Sequence, residues 1–165
     1  DDSSSHLLTE HNVCYDADRQ PFHQHYGRAT VARNNIFVFG GESVGIYSRN
    51  EPHDGLIWMQ NIMVSKGEPI FKSGFAPDQE EHRMMADSNL YFDTTGKPHF
   101  LMAEKKYSFK QWQALGRDRH SLVANPKFKN LAKRNLTLAK DSSAFKLGFK
   151  PIDVSTVGPR PPSKR

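Results

Sequence analysis

Two short stretches gather the groups that bind sugars and move protons: His23-Gln24-His25-Tyr26-Gly27-Arg28 and Arg49-Asn50-Glu51-Pro52-His53. Imidazoles and carboxylates exchange protons near neutral pH, and a guanidinium donates paired hydrogen bonds. Alternate residues of a strand share a face. With Phe22 and Tyr26 pointing inward, His23 and His25 project outward together. With Val44 and Ile46 inward, Tyr47, Arg49, Glu51 and His53 share the outer face of the next strand. Glu51 and His25 are the candidate catalytic residues. His23, Tyr26, Arg49 and His53 are the candidate substrate-binding residues. The same residues also suit an ordinary solvated surface, with Arg49 and Glu51 as an exposed ion pair. His-x-His matches a metal-ligand pair, but no third ligand is evident, so neither a metal nor another cofactor is expected. Glycoside hydrolysis needs two carboxyl groups, about 5–5.5 Å apart for retention and about 6.5–9.5 Å for inversion. The partner of Glu51 is open: Asp54, Asp87 or a residue upstream of this chain.

These side chains need strands to carry them, and the chain repeats a strand signature. An asparagine precedes an apolar run at Asn12-Val13-Cys14-Tyr15, Asn35-Ile36-Phe37-Val38, Asn61-Ile62-Met63-Val64 and Asn89-Leu90-Tyr91-Phe92. The spacings are 35 − 12 = 23, 61 − 35 = 26 and 89 − 61 = 28 residues. A period of this size means stacked coils. Strand-like runs precede the later asparagines at 30–33, 56–59 and 84–86, and third strands follow turns at 22–26, 44–49, 70–73 and 99–102. Asparagine suits a corner because it tolerates the left-handed region and bonds its own backbone. Stacking would set the four amides about 4.8 Å apart in a hydrogen-bonded ladder. The fold expected is all-β: a right-handed parallel β-helix with an Asn ladder, closed by a short helix and an irregular C-terminal segment. The helix is expected over 107–115, with Ser108 as N-cap and Gly116 as the stop. Residues 1–10 read as a continuation from upstream coils, 11–105 as the coils, 106–153 as a capping segment and 154–165 as a disordered tail.

An apolar content of 36% is low for a globule and suits a solenoid, whose core is a narrow column. Lys and Arg exceed Asp and Glu by 23 − 18 = 5. The positive charge admits anionic partners, including uronate-bearing glycans. It is dispersed along the chain, so nucleic acid is not expected. Cys14, the single cysteine, excludes an intrachain disulfide. No stretch approaches the roughly 18 apolar residues of a membrane helix.

Six stretches carry a resemblance. They are 22–28, Arg33-Asn34-Asn35-Ile36-Phe37, 49–53, Asn89-Leu90-Tyr91-Phe92-Asp93, Gly116-Arg117-Asp118-Arg119-His120-Ser121 and 141–153. The chain resembles the C-terminal part of right-handed β-helix proteins of carbohydrate-degrading bacteria, close to glycoside hydrolase family 141. Two departures are local: Asn125 stands before Pro126 where an Asp is usual, and Ser143 where a Pro is usual. The resemblance implies an extracellular or periplasmic polysaccharide-degrading enzyme of fucosidase or xylanase type, acting on plant or algal glycans. Its partner would be a polysaccharide or oligosaccharide. It assigns no catalytic pair. Two other functions fit the same scaffold: a polysaccharide lyase, using His25, Arg49 or Lys72, and a non-catalytic glycan-binding or adhesion solenoid.

Overall fold

The chain coils because a left-handed residue stands immediately before each repeat asparagine. His11, Asn34, Gln60 and Ser88 have φ of 56°, 52°, 55° and 57°. The corner strain therefore falls one residue earlier than the sequence suggests, and the ladder asparagines keep ordinary φ. The computed structural model describes residues 4–49, 53, 55–77, 84–155 and 157. Four strand triplets follow one another: β1 (Leu8–Glu10), β2 (Val13–Ala17), β3 (Phe22–Gln24); β4 (Thr30–Arg33), β5 (Ile36–Gly40), β6 (Gly45–Tyr47); β7 (Leu56–Met59), β8 (Ile62–Ser65), β9 (Phe71–Ser73); β10 (Met84–Asp87), β11 (Leu90–Asp93), β12 (His99–Met102). Equivalent strands pair in parallel, giving three stacked sheets, β1-β4-β7-β10, β2-β5-β8-β11 and β3-β6-β9-β12. The result is a parallel β-solenoid of about three turns. No helix among the described residues is long and apolar enough to cross a membrane.

The asparagines stack as the spacing requires. Each side-chain nitrogen donates to the next side-chain oxygen: Asn12 to Asn35 at 3.1 Å, Asn35 to Asn61 at 3.0 Å and Asn61 to Asn89 at 3.3 Å. The same oxygens accept the preceding rung's backbone N–H at 2.9–3.0 Å. Second amide protons go to main-chain carbonyls, such as Asn61 to Ala32 and Asn89 to Trp58, both 2.9 Å. The ladder ends on Asp118, whose Oδ1 accepts from Asn89 Nδ2 at 2.9 Å.

Large aromatics fill the column where neighbours are small. Trp58 pairs in register with Ala32 below and Ala86 above, and a Cβ on Gly45 would lie 3.4 Å from its ring. Phe37 stacks on Trp58 at 5.6 Å. At the C-terminal end β13 (Lys105–Ser108) turns back antiparallel on β12 and leads into α1 (Phe109–Ala114). Ser108 and Gln111 form a capping box. The helix swings Trp112 over the column, flat against Phe100 at 4.3 Å and 8°.

A second apolar layer covers the outside of the β2-β5-β8-β11 sheet. After β14 (Leu122–Val123), the hairpin β15 (Phe128–Asn130) and β16 (Asn135–Leu138) and a 3-10 helix (Ser143–Leu147) run back along that face. Phe149 and Ala144 pack with Ile36, Val38, Ile62, Val64 and Leu90. Lys150 exchanges two hydrogen bonds with the Asn34 side chain, at 2.6 and 3.0 Å. β5, β8 and β11 are thus covered on both sides, which is why their first three positions are all apolar, whereas β2, at the open end, is partly exposed.

Asn61→Ala strips the acceptor from the Asn35 amide and backbone N–H, both buried. Each orphaned group costs about 1–3 kcal/mol, so the loss is expected at roughly 3 kcal/mol. Asn12→Ala, at the exposed rung, should cost under about 1 kcal/mol. Urea denaturation of both variants checks this; equal losses would contradict the ladder's role.

Candidate functional site

His23 and His25 project from the same side of β3 because Phe22 and Gln24 point inward. Gln24 is 5% exposed, and its amide donates inside the column to the carbonyl of Tyr26. Tyr26 (φ 52°) and Gly27 (φ 84°) form a left-handed turn there. A Cβ on Gly27 would sit 2.5 Å from the Gln24 amide, so only glycine lets the turn close over it. The turn corrects the expected inward direction of Tyr26: its half-buried ring lies against the His25 ring, centroids 4.8 Å apart, with the Arg49 guanidinium 5.5 Å over it. His23 and His25 meet edge-to-face at 5.4 Å.

Ser48 joins the two imidazoles. Its Oγ lies 2.8 Å from His23 Nε2 and 2.7 Å from His25 Nδ1. Its backbone N–H donates to the Gln24 carbonyl at 3.1 Å, which carries the β3–β6 register past the end of the strand. On the other side of His23, the Gln20 amide sits 3.2 Å from Nδ1. Outward positions of the sheet stack in register as His23, Ile46, Lys72 and Leu101.

The expected directions on β6 are corrected by one residue. Tyr47 points inward and is 1% exposed, while Ile46 is half-buried on the outer face. Gly45 is the cause: it takes an inward position and leaves its space to Trp58 and Phe71, so the next inward side chain is Tyr47. The Tyr47 hydroxyl reaches the Gly55 backbone, where a Cβ would be 1.8 Å away. Arg49, past the end of β6, is exposed and lies over the Tyr26 ring. Glu51 and Asp54 lie outside the described residues; His53, the one described residue between them, is half-buried. Asp87 belongs to the β1-β4-β7-β10 sheet, and its carboxylate faces His120 Nδ1 at 2.6 Å. It is not the second carboxylate of this cluster. Glu42, near His23, is held by Arg19 at 2.7 Å.

The electrostatics favour an uncharged His23. His23 is exposed by its surface, yet the partial desolvation of its ring, then the neighbouring His25 and Arg19, hold its imidazole below the usual range. Among the described residues no group of three His, Cys, Asp or Glu converges as a metal site. Sequence reasoning missed Ser48, Gln20 and Gln24. Gln24 had a signal, its inward parity between two outward histidines. A serine after a strand gives none.

A concavity of about 610 Å³ lies on the β7–β10 face between Met59, Met85, Leu115, Arg117 and Arg119. Its lining is mostly apolar, and Met85 is half exposed. Comparisons with protein-family models, curated proteins and solved structures return no match to this chain. The class shown is the parallel β-solenoid, and the functional argument rests on the geometry of its outer face.

His23 binds fewer protons folded than unfolded. Its contribution to stability is complete above the unfolded value near 6.5 and is lost as pH falls through the lower folded value. Wild-type stability should therefore drop between about pH 7.5 and about pH 5.5 more than that of His23→Asn. Denaturation curves at both pH values check it; parallel losses would contradict a depressed His23.

Proposed function

We propose that this chain is a polysaccharide-processing β-solenoid that holds a glycan against His23, His25, Tyr26 and Arg49. The observation that carries the reading is the convergence of two imidazoles, a phenol and a guanidinium on one outer face of stacked strands. A sugar offers apolar ring faces and a rim of hydroxyls. Tyr26 supplies a face for the one, and the imidazoles and Arg49 hydrogen-bond the other. The outer row continues through Ile46 to Lys72, so the surface extends across successive turns as a chain-like ligand requires. The resemblance to glycoside hydrolase family 141 supports the same substrate class and an extracellular or periplasmic setting. Under this reading the reaction is hydrolysis of a glycosidic bond, with Glu51 and His25 as the catalytic residues.

Arg49 and Lys72 also favour a second reading, elimination from a uronate-bearing chain, in which cations neutralise the carboxylate and His25 takes the C5 proton. An ultraviolet-absorbing unsaturated product distinguishes it from hydrolysis. Arg49→Ala removes a fork of donors and should weaken glycan binding about tenfold, without loss of fold. Glu51→Gln should lower glycosidic cleavage by at least about 100-fold while binding persists. Calorimetric titration with oligosaccharides and reducing-end assays measure both. Binding unchanged in Arg49→Ala would remove the site from this face.

A further inference from the structure

The β1-β4-β7-β10 sheet carries an apolar row on its outer face: Leu8, Val31, Ile57 and Met85 pair in register across the four turns. At the last turn this row becomes the floor of a hollow. The loop after α1 is tied to β10 by the Asp118 N–H, which donates to the Ala86 carbonyl at 2.7 Å. Loop and strands together wall the concavity of about 610 Å³, a size in the usual range for small-molecule sites. Met59, Met85 and Leu115 line it and are 37%, 50% and 37% exposed, so large apolar side chains face water where the surface is concave. With Met84, three of the chain's five methionines stand on this wall. Thioethers adapt to a ligand's outline and make favourable contacts with aromatic ring edges. The carboxylates of the wall already have their donors. Asp87 accepts from the Ser88 and His120 N–H groups, both at 2.8 Å, and from His120 Nδ1 at 2.6 Å. Asp118 accepts from Asn89, Ser121, Tyr91 and Trp112. Arg119 stands exposed on the same wall, and among the described residues no carboxylate lies within ion-pair distance of it.

We propose that this concavity binds a small planar aromatic carboxylate, its ring against Met59, Met85 and Leu115 and its carboxylate on the Arg119 guanidinium. Charge selects the anion: the acids of the wall are turned to His120, Ser88 and the ladder's end, and the guanidinium is left to a ligand. A guanidinium meets a carboxylate through two parallel N–H donations, which fixes the ligand's direction as well as its charge. Shape and chemistry select the ring. Ile57 and Met85 are register partners on adjacent strands, so the floor is the shallow pleat of two strands, on which a flat ring covers both side chains at once. Met59 stands one outward position further along β7, opposite Asp87. Further along the sheet the charged outward positions satisfy each other, with Arg33 Nε donating to Glu10 at 2.8 Å, so the unmet cation and the apolar hollow coincide at the β10 end alone. The site lies on a different sheet from His23 and His25, and it stands or falls without the glycan reading.

The whole chain, carrying methyl-labelled methionine, is titrated with naphthoate and, separately, with naphthylmethanol and octanoate. We expect ring-current shifts at the Met59 and Met85 methyl groups with naphthoate, while the methyl of Met63, buried in the column, stays in place. By calorimetry naphthoate should bind about tenfold more tightly than either the neutral alcohol or the aliphatic acid. Arg119→Gln should weaken naphthoate about tenfold and leave the alcohol unchanged. Met85→Ala should weaken both aromatic ligands about threefold. Equal affinity for naphthoate and its alcohol, or wild-type naphthoate binding in Arg119→Gln, overturns the carboxylate assignment. Octanoate binding as tightly as naphthoate overturns the aromatic one. Naphthoate that leaves the Met59 and Met85 methyls unmoved, or shifts Met63 as much as them, overturns the site.

Discussion

A buried amide must have partners for both of its ends, and this one requirement organises the molecule. Asn35, Asn61 and Asn89 solve it by accepting from the previous rung and donating to the next, and exposed Asn12 starts the chain. Such a chain is directional, so it must finish on a group that only accepts. Asp118 is that group. Its Oδ1 takes Asn89 and Ser121, and its Oδ2 takes Tyr91 at 2.9 Å and Trp112 at 2.6 Å. Burial pushes the Asp118 carboxyl above its ordinary value, against the pull of these four donors. Arg117 lies next to it in the chain, its guanidinium 4.6 Å over the Trp112 ring, and burial draws its own pKa down to about 10. The cap is therefore fixed by the polar ladder as well as by the aromatic stack. Trp112 belongs to both, through its indole N–H and its face on Phe100.

The part of the fold legible in sequence is the part with a period. Asn12, Asn35, Asn61 and Asn89 recur with apolar runs behind them, and strands before and after followed at nearly the expected bounds. Ser108 as N-cap and Gly116 as the stop placed α1 to within two residues of its start, Phe109. Three features lacked a local signal. β1 is three residues of mixed polarity, defined only by pairing with β4. β13 carries two lysines and owes its strand form to β12. The outer layer of residues 124–152 was foreseen as a closing segment, but not its course across one face. Yet Asn-Ile-Phe-Val already implied it, since a strand exposed on one side would alternate.

Directions on strands were legible where the inward residues were large. Phe22 fixed β3, and His23 and His25 emerged together. On β6 an inward glycine defeated the reading, because a residue without a side chain looks neither apolar nor polar. The shift by one residue exchanged Ile46 and Tyr47 and left Ser48 at the imidazoles.

The site is accordingly a product of register between turns. His23 and His25 come from the first turn and Ser48 and Arg49 from the second, 23–26 residues apart in sequence. Nothing local brings them together. What does is the β3–β6 pairing of Phe22 with Gly45 and Gln24 with Tyr47, extended by the Ser48 N–H to the Gln24 carbonyl. A slip of one residue would reverse every side chain of β6. It would drive Tyr47 outward and leave the two imidazoles facing a different residue. The amide ladder opposes that slip at the previous corner, where Asn12 and Asn35 meet. The buried chain that ends on Asp118 thus sets, one sheet away, the 2.7 and 2.8 Å contacts through which Ser48 joins the two imidazoles.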